Sequence, residues 1–315
     1  MKFLLNLSKK PATFQRIIGL NINQASILTL KLQSHWESSE NKRLNRSTRR
    51  RKIGGGRPYK AHTTFEKLVI TLMYYKTNMT QELIGIILGM DQSAVSRLIA
   101  KILPLIEQAA DPELRTFLAK AKEDIQARRI SSLAELVALY PDLKDVSTDA
   151  TEGSVYRATK YEVQKEFYSG KSKMHALKTQ ITVSSTGRFL DVSASYPGSF
   201  HDKTIMDKER TVEKFAKIVP HRFDSGYQGV KDDYTGYYLI LPVKKPRKRE
   251  LPALYKEHNK CNSKRRVVAE HGFSKIKKYR AFANVFRQPI KKYNQAFSAV
   301  VAVLNFRLQN SVVTA

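Results

Sequence analysis

Asp149, Asp224 and Glu270 are three carboxylates in settings suited to metal-assisted phosphoryl chemistry. Asp149 lies in DVSTDATEGSVYR, where a β-prone run passes into a polar turn, and Asp224 lies in IVPHRFDSGYQG, directly before a glycine turn. Both read as residues where a strand runs out into a loop, the usual place for site residues in open α/β sheets. Glu270 lies in KRRVVAEHGFSKIKKYR, a helical pattern that puts Arg266, Glu270 and Lys277 on one face, because they are four and seven residues apart. Two Mg2+ ions about 3.5–4 Å apart clamp the attacking and leaving oxygens of an in-line displacement, and hard cations of this kind take oxygen ligands. The three acids therefore form a candidate two-ion site, with Mn2+ able to substitute, and Arg266 and Lys277 are candidate DNA contacts that hold the scissile phosphate or a neighbouring strand. Taken singly, either aspartate reads as a turn former or cap, and Glu270 as the partner of Arg266 in a surface ion pair.

The charge around these acids narrows the partner. The chain of 315 residues holds 56 Lys+Arg against 28 Asp+Glu, a net charge of +28, and its hydrophobic content of 42% is enough to build cores. The excess is local: net +12 over residues 1–60 and +15 over residues 236–315, around a near-neutral middle. Two basic ends suit double-stranded DNA, since Lys and Arg displace condensed counterions from a polyanion. A solvated basic surface and an RNA binder are the plainer readings of the same charge. No run of 18 apolar residues exists to span a bilayer, and the first apolar run is too short for a secretion signal. Cys261 is the only cysteine, so neither an intrachain disulfide nor a cysteine-based zinc site is available. The expected setting is cytoplasmic and nucleoid-associated, with neither a membrane nor a small-molecule substrate.

Residues 1–40 read as an N-terminal helical region, with two short helices expected within residues 10–38, broken at GLNINQ. Residues 41–62 hold nine basic residues, no acid and three consecutive glycines. They read as a flexible arm able to lie along a phosphate backbone, with Arg49, Arg50, Arg51, Lys52 and Arg57 as candidate contacts. Residues 63–109 match a helix-turn-helix: Thr80 caps its first helix, Gly89 ends it and Asp91 caps the second. With Val95, Leu98, Ile99 and Ile102 inward, Ser93, Ser96, Arg97 and Lys101 face outward and are candidate groove contacts. An ordinary helical hairpin is the bland alternative. Residues 110–143 read as a helical connector. From residue 144 to 315 the period turns to alternating strands and then to mixed helices and strands, an α/β domain.

With these residues in place the chain resembles the DDE transposases of bacterial insertion sequences, and most nearly the group related to Harbinger elements. The resemblance rests on the Asp149 strand, DSGYQG, the Arg-x3-Glu-x6-Lys helix, the GGGRPYK arm, the helix-turn-helix and the SFHD segment, and it runs from about residue 10 to residue 309. It implies a ribonuclease-H-like mixed-sheet catalytic domain behind an all-α DNA-binding region. It also implies cleavage at an element's terminal repeats, joining of 3′ ends to target DNA, and a homo-oligomer on DNA. In one respect the chain departs from the family pattern: Ser263 stands where a Tyr is expected three residues before the Arg, with Tyr279 as a stand-in. A catalytically inactive regulator and an endonuclease without joining activity are the alternatives.

Three further residues attach to this site. Asp202 reads first as the cap of a helix beginning near Lys203, and the resemblance adds a supporting role beside the site for it and for His201. Tyr227, three residues after Asp224, is placed either to stack on an unpaired base or to pack.

Overall fold

The computed structural model describes residues 2–48, 50, 52, 58–246 and 249–311. The chain divides into two compact units, residues 1–112 with 276–315, and residues 113–275.

In the first unit, α1 (Lys2–Ser8), α2 (Pro11–Ile18) and α3 (Ile22–Leu44) precede α4 (Thr64–Thr77), α5 (Gln81–Leu88) and α6 (Gln92–Ala110). Gly19, at φ 92°, stops α2, and Asn21 with Gln24 forms the capping box that starts α3. The helix α3 runs to Leu44, past the expected start of the arm at residue 41. Its last turns are polar, and a Glu40–Arg43 ion pair of 2.7 Å supports them where no apolar stripe does. Of the arm contacts, Arg50 and Lys52 are exposed, while Arg49, Arg51, Arg57 and the glycine triplet lie outside the described residues. Leu68 to Tyr75 are buried without interruption, so α4 is enclosed on all sides.

The helices α5 and α6 meet at 106°. Thr80 Oγ1 accepts from the Leu83 amide, Gly89 is left-handed at φ 64°, and Val95, Leu98, Ile99 and Ile102 are buried. The expected helix-turn-helix is therefore formed, although Asp91 makes no side-chain cap bond.

The second unit begins with α7 (Phe117–Ala127) and α8 (Leu133–Leu139), then β1 (Val146–Ser154), α9 (Tyr161–Phe167), β2 (Tyr168–Ser169), β3 (Met174–Ser184) and β4 (Phe189–Pro197). It continues with α10 (Asp202–Glu209), β5 (His221–Arg222), α11 (Val230–Asp233), β6 (Leu239–Ile240) and most of α12 (Ala253–Lys277). The chain then returns to the first unit with α13 (Arg280–Ala283) and α14 (Tyr293–Gln309), and α14 packs against α6. This differs from the expected division at residue 144: α7 and α8 join the sheet unit, and the last helix joins the helical one.

The sheet order is β4-β3-β1-β5-β6, with β2 pairing the first residues of β3. The β4–β3 and β3–β1 pairs are antiparallel, and the β1–β5 and β5–β6 pairs parallel. Strand alternation puts Ser147 and Asp149 of β1 on the same face as Ile181 and Val183 of β3. The helix α12 covers that face, since a Cβ on its Gly272 would lie 3.2 Å from Phe189 and 3.4 Å from Val183. On the other face Thr148 bonds Thr182 and His221, and Val146 joins a core with Leu118, Ile125, Leu136 and Phe215. Both faces are thus covered, as in α/β domains with mixed sheets.

Candidate active site

Asp149 is the fourth of the nine residues of β1, so it sits within the central strand and not at its end as expected. Its Oδ1 accepts from the Ala150 amide at 2.8 Å, and its Oδ2 accepts from Arg266 Nη2 of α12 at 3.3 Å. Asp224 follows β5 by two residues and accepts from the Gly226 amide at 2.7 Å, starting the short turn Ser225–Tyr227. A third carboxylate, Asp202, reaches the same place. A Cβ on Gly226 would stand 2.9 Å from Asp224 Oδ1 and 3.3 Å from Asp202 Oδ2, so these two acids flank a glycine that leaves them room.

Burial first, and then repulsion from Asp224 and Asp202, push the Asp149 carboxyl up to about 6, against the pull of the Ala150 amide and Arg266. The cluster is therefore short of positive charge.

Asp202 does not cap α10. The cap position belongs to His201, which is exposed and makes no side-chain cap bond. The Asp202 carboxylate instead lies 3.0 Å from Lys178 Nζ, which also stands 3.5 Å from Glu152 and donates to the Phe200 carbonyl at 2.8 Å. Lys178 is directly opposite Glu152 in the β1–β3 ladder. Lys178, the one charged Lys, Arg, Asp or Glu within β3, was the sequence signal for this link, and helix-start patterns do not register it.

Tyr227 is fully buried against Phe223, and its hydroxyl accepts from Gln180 Nε2 at 2.7 Å. Of its two expected roles it has the packing one. Burial and then the three aspartates hold its hydroxyl proton on well above the usual range. Tyr279, the stand-in for the missing tyrosine at Ser263, is buried in the helical unit.

Glu270 lies one turn beyond Arg266 on α12, about 40° round the helix. It is exposed and makes no hydrogen bond or ion pair among the described residues. Among those residues no three His, Cys, Asp or Glu side chains are gathered as a metal-holding group. The structure thus places Asp149, Asp224, Asp202 and Arg266 near one another, short of a gathered metal-holding group, and Glu270 follows Arg266 by one turn of α12.

On α6, Ser93 and Arg97 are exposed and bonded to each other at 3.2 Å, and Ser96 is partly exposed. Lys101 is partly exposed and already engaged within its own unit. It lies 3.3 Å from Glu40 and 4.9 Å over the Tyr59 ring.

A mixed sheet with one aspartate on its central strand, a second after the adjoining parallel strand, and a helix bearing Arg266 laid across that face is consistent with a ribonuclease-H-like catalytic domain. The chain belongs to the DDE superfamily endonucleases: residues 148–305, just over half of it, match that family, and residues 63–112 match the helix-turn-helix of DDE superfamily endonucleases. It is 25% identical over 243 residues to a probable transposase for insertion sequence element IS702 from Microchaete diplosiphon, covering 77% of this chain and 80% of that one. No solved structure gives a significant match. The protein is accordingly a DNA-cleaving enzyme with a DNA-binding helix-turn-helix, and dependence on a divalent metal follows from the family. Among the described residues no single helix is long and apolar enough to cross a membrane.

Proposed function

We propose that the protein is a transposase that grips the terminal repeats of an insertion element through α6, cuts at the element's ends and joins the freed 3′ ends to target DNA. In this reading it acts as a homo-oligomer holding two ends, and Asp149, Asp224 and Glu270 are the ligands of two Mg2+ ions. The observation that carries it is the crowding of Asp149 and Asp224 with one guanidinium 3.3 Å from Asp149.

The donor set fits a hard cation. Burial, with repulsion from Asp224 added to it, raises the Asp149 carboxyl to about 6, a cost that a bound divalent cation would relieve. When bound, the metal supplies a Lewis acid for the phosphate and a lowered pKa for the attacking water or 3′ hydroxyl. The chain's own residues do the rest. Asp149 is fixed by the Ala150 amide and Arg266, and Asp224 by the Gly226 amide, so neither needs reordering when DNA arrives. Arg266 Nε is buried without a partner, a spare donor for a phosphate oxygen. Glu270 stands one turn away on the same helix to complete the acids.

The test is incubation with DNA carrying the element's terminal repeats and Mg2+, comparing the wild type with Asp224→Asn. Cutting and joined product that both vanish in the variant support the reading. A variant that cuts and joins normally overturns the site, and a wild type that cuts without joining overturns the strand-transfer step.

A further inference from the structure

Between β1 and β3 the chain leaves the sheet for residues 155–173, VYRATKYEVQKEFYSGKSK, with five basic residues and two acids. Three of its tyrosines point into solvent: Tyr156 is 60% exposed, Tyr161 72% and Tyr168 42%. Tyr59, Tyr238 and Tyr255 are exposed elsewhere in the chain, but this excursion gathers three exposed rings within thirteen residues, among basic side chains. We propose that this excursion is a stacking platform for unpaired nucleotides of DNA, with Tyr161 and Tyr168 as ring partners, Lys165 between them as a phosphate contact and Tyr156 beside them.

The spacing supports this. Tyr161 and Lys165 are four residues apart on α9 and share one face, Tyr168 follows directly where α9 gives way to β2, and all three are exposed. Seven residues of helix span about 10 Å, roughly three nucleotide steps at 3.4 Å each. Every base has a π-face, so a tyrosine ring accepts any sequence, and a cation placed between two rings meets the backbone that joins the stacked bases. Duplex DNA offers no free faces to such a platform. Ends being opened for cutting and joining do.

The excursion is also held rigid from beneath. Ser169, buried, donates to Glu152 Oε1 at 2.9 Å, and Ser172 bonds the other oxygen of the same carboxylate. Gln164 donates to the Ala158 carbonyl and accepts from Arg157 Nε, each within 2.9 Å. The Tyr168 ring meets His175 edge-on at 5.7 Å. Internal polar groups thus fix a segment whose rings face outward, which lowers the entropy lost when bases settle on them. Glu152 is in turn linked through Lys178 to Asp202, so the platform's base is continuous with the carboxylate cluster.

The proposal rests on the reading that this protein processes DNA ends, and its test runs without divalent metal so that it does not depend on cleavage. The probe is a DNA duplex with a short unpaired overhang carrying 2-aminopurine, compared with the blunt duplex, in EDTA. The wild type is expected to quench the fluorophore and to bind the overhang more tightly than the blunt form. Tyr161→Ala with Tyr168→Ala should lose that preference by about tenfold per ring, with blunt-duplex affinity unchanged. Tyr161→Phe with Tyr168→Phe should keep it, because a phenyl ring still stacks. Lys165→Glu should weaken overhang binding as an independent check. A double alanine variant that retains wild-type preference and quenching overturns the proposal, as does one that loses blunt and overhang binding alike. Loss of cleavage in Asp224→Asn with quenching intact would leave the platform standing, and failure of the platform would leave the active site untouched.

Discussion

Arg266 Nη2 lies 3.3 Å from Asp149 Oδ2, a contact that ties the covering helix to the central strand at the point of chemistry. The side chains are 14% and 18% exposed, so water screens the pair poorly. Arg266→Ala removes the only side chain bonded to Asp149 among the described residues and leaves its charge half-buried. The expected result is a loss of about 1–3 kcal/mol in stability and about a hundredfold in single-turnover cleavage. Arg266→Lys should recover the stability better than the rate, since an ammonium lacks the planar fork that reaches both the carboxylate and a phosphate.

The raised Asp149 carboxyl sets a pH dependence in the metal-free protein. Folded Asp149 keeps its proton up to about pH 6, whereas the unfolded chain releases it near 3.8. Between these values the folded state binds more protons, so its stability falls as pH rises through this window and stays lower above it. Asp149→Asn removes that penalty: above pH 6 the apo variant should gain up to roughly 3 kcal/mol, and below pH 4 it should match the wild type. Urea melts in EDTA at pH 4 and pH 7.5 read this directly. Cleavage should be lost in the same variant.

Local pattern carried a large part of this fold. The alternation in KMHALKTQITVSS and GRFLDVSASY corresponds to β3 and β4, and the helix-turn-helix caps fell at Thr80 and Gly89. What local pattern missed was decided by distant partners. Asp202 opens a helix, which made it look like a cap, yet Lys178, distant in sequence, holds its carboxylate. Asp149 looked terminal because the strand beyond it is polar, and the ladder with β3 carries β1 on to Ser154. Lys101 looked outward by helical period, but Tyr59 and Glu40 claim it. Arg266 and Asp224 were legible because their spacing and turn chemistry are local.

Glu270 offers a clean separation of stability from chemistry. It is exposed and unpartnered among the described residues, so Glu270→Gln should change stability by no more than about 0.5 kcal/mol. DNA binding in EDTA should be unaltered. Cleavage in Mg2+ should fall at least as far as for Arg266→Ala. Retained cleavage would remove Glu270 from the ligand set and turn attention to Asp202, which already faces Asp224.

Arg97 and Ile99, two residues apart on α6, should fail in different ways. Arg97 is exposed, and Arg97→Ala is expected to weaken DNA binding with the fold intact, reducing the slope of log affinity against log salt by about 1 if it meets a phosphate. Ile99 is fully buried, and Ile99→Ala should cost about 2–5 kcal/mol and lose DNA binding only through unfolding. Binding isotherms at several salt concentrations, taken with thermal melts, distinguish the two.

Gly226 makes the sharpest demand on the site. Its backbone is not in the left-handed region, so its need is for space and not for conformational freedom. In Gly226→Ala the new methyl would stand 2.9 Å from Asp224 Oδ1, closer than carbon and oxygen tolerate, with Asp202 Oδ2 only 3.3 Å away on the other side. One carboxylate must move, and Asp224 is the one that has to give, because the Lys178 contact holds Asp202. Rotating Asp224 away breaks its bond from the Gly226 amide, so the variant loses both the position of the acid and the start of the turn. The expected outcome is a folded protein, destabilised by about 1 kcal/mol for the lost hydrogen bond, that binds DNA normally and cleaves at least a hundredfold more slowly. Because the defect is a displaced ligand and not a missing one, raising the Mg2+ or Mn2+ concentration should restore part of the rate in Gly226→Ala and none in Asp224→Asn, and equal rescue of both would place the acid's role elsewhere.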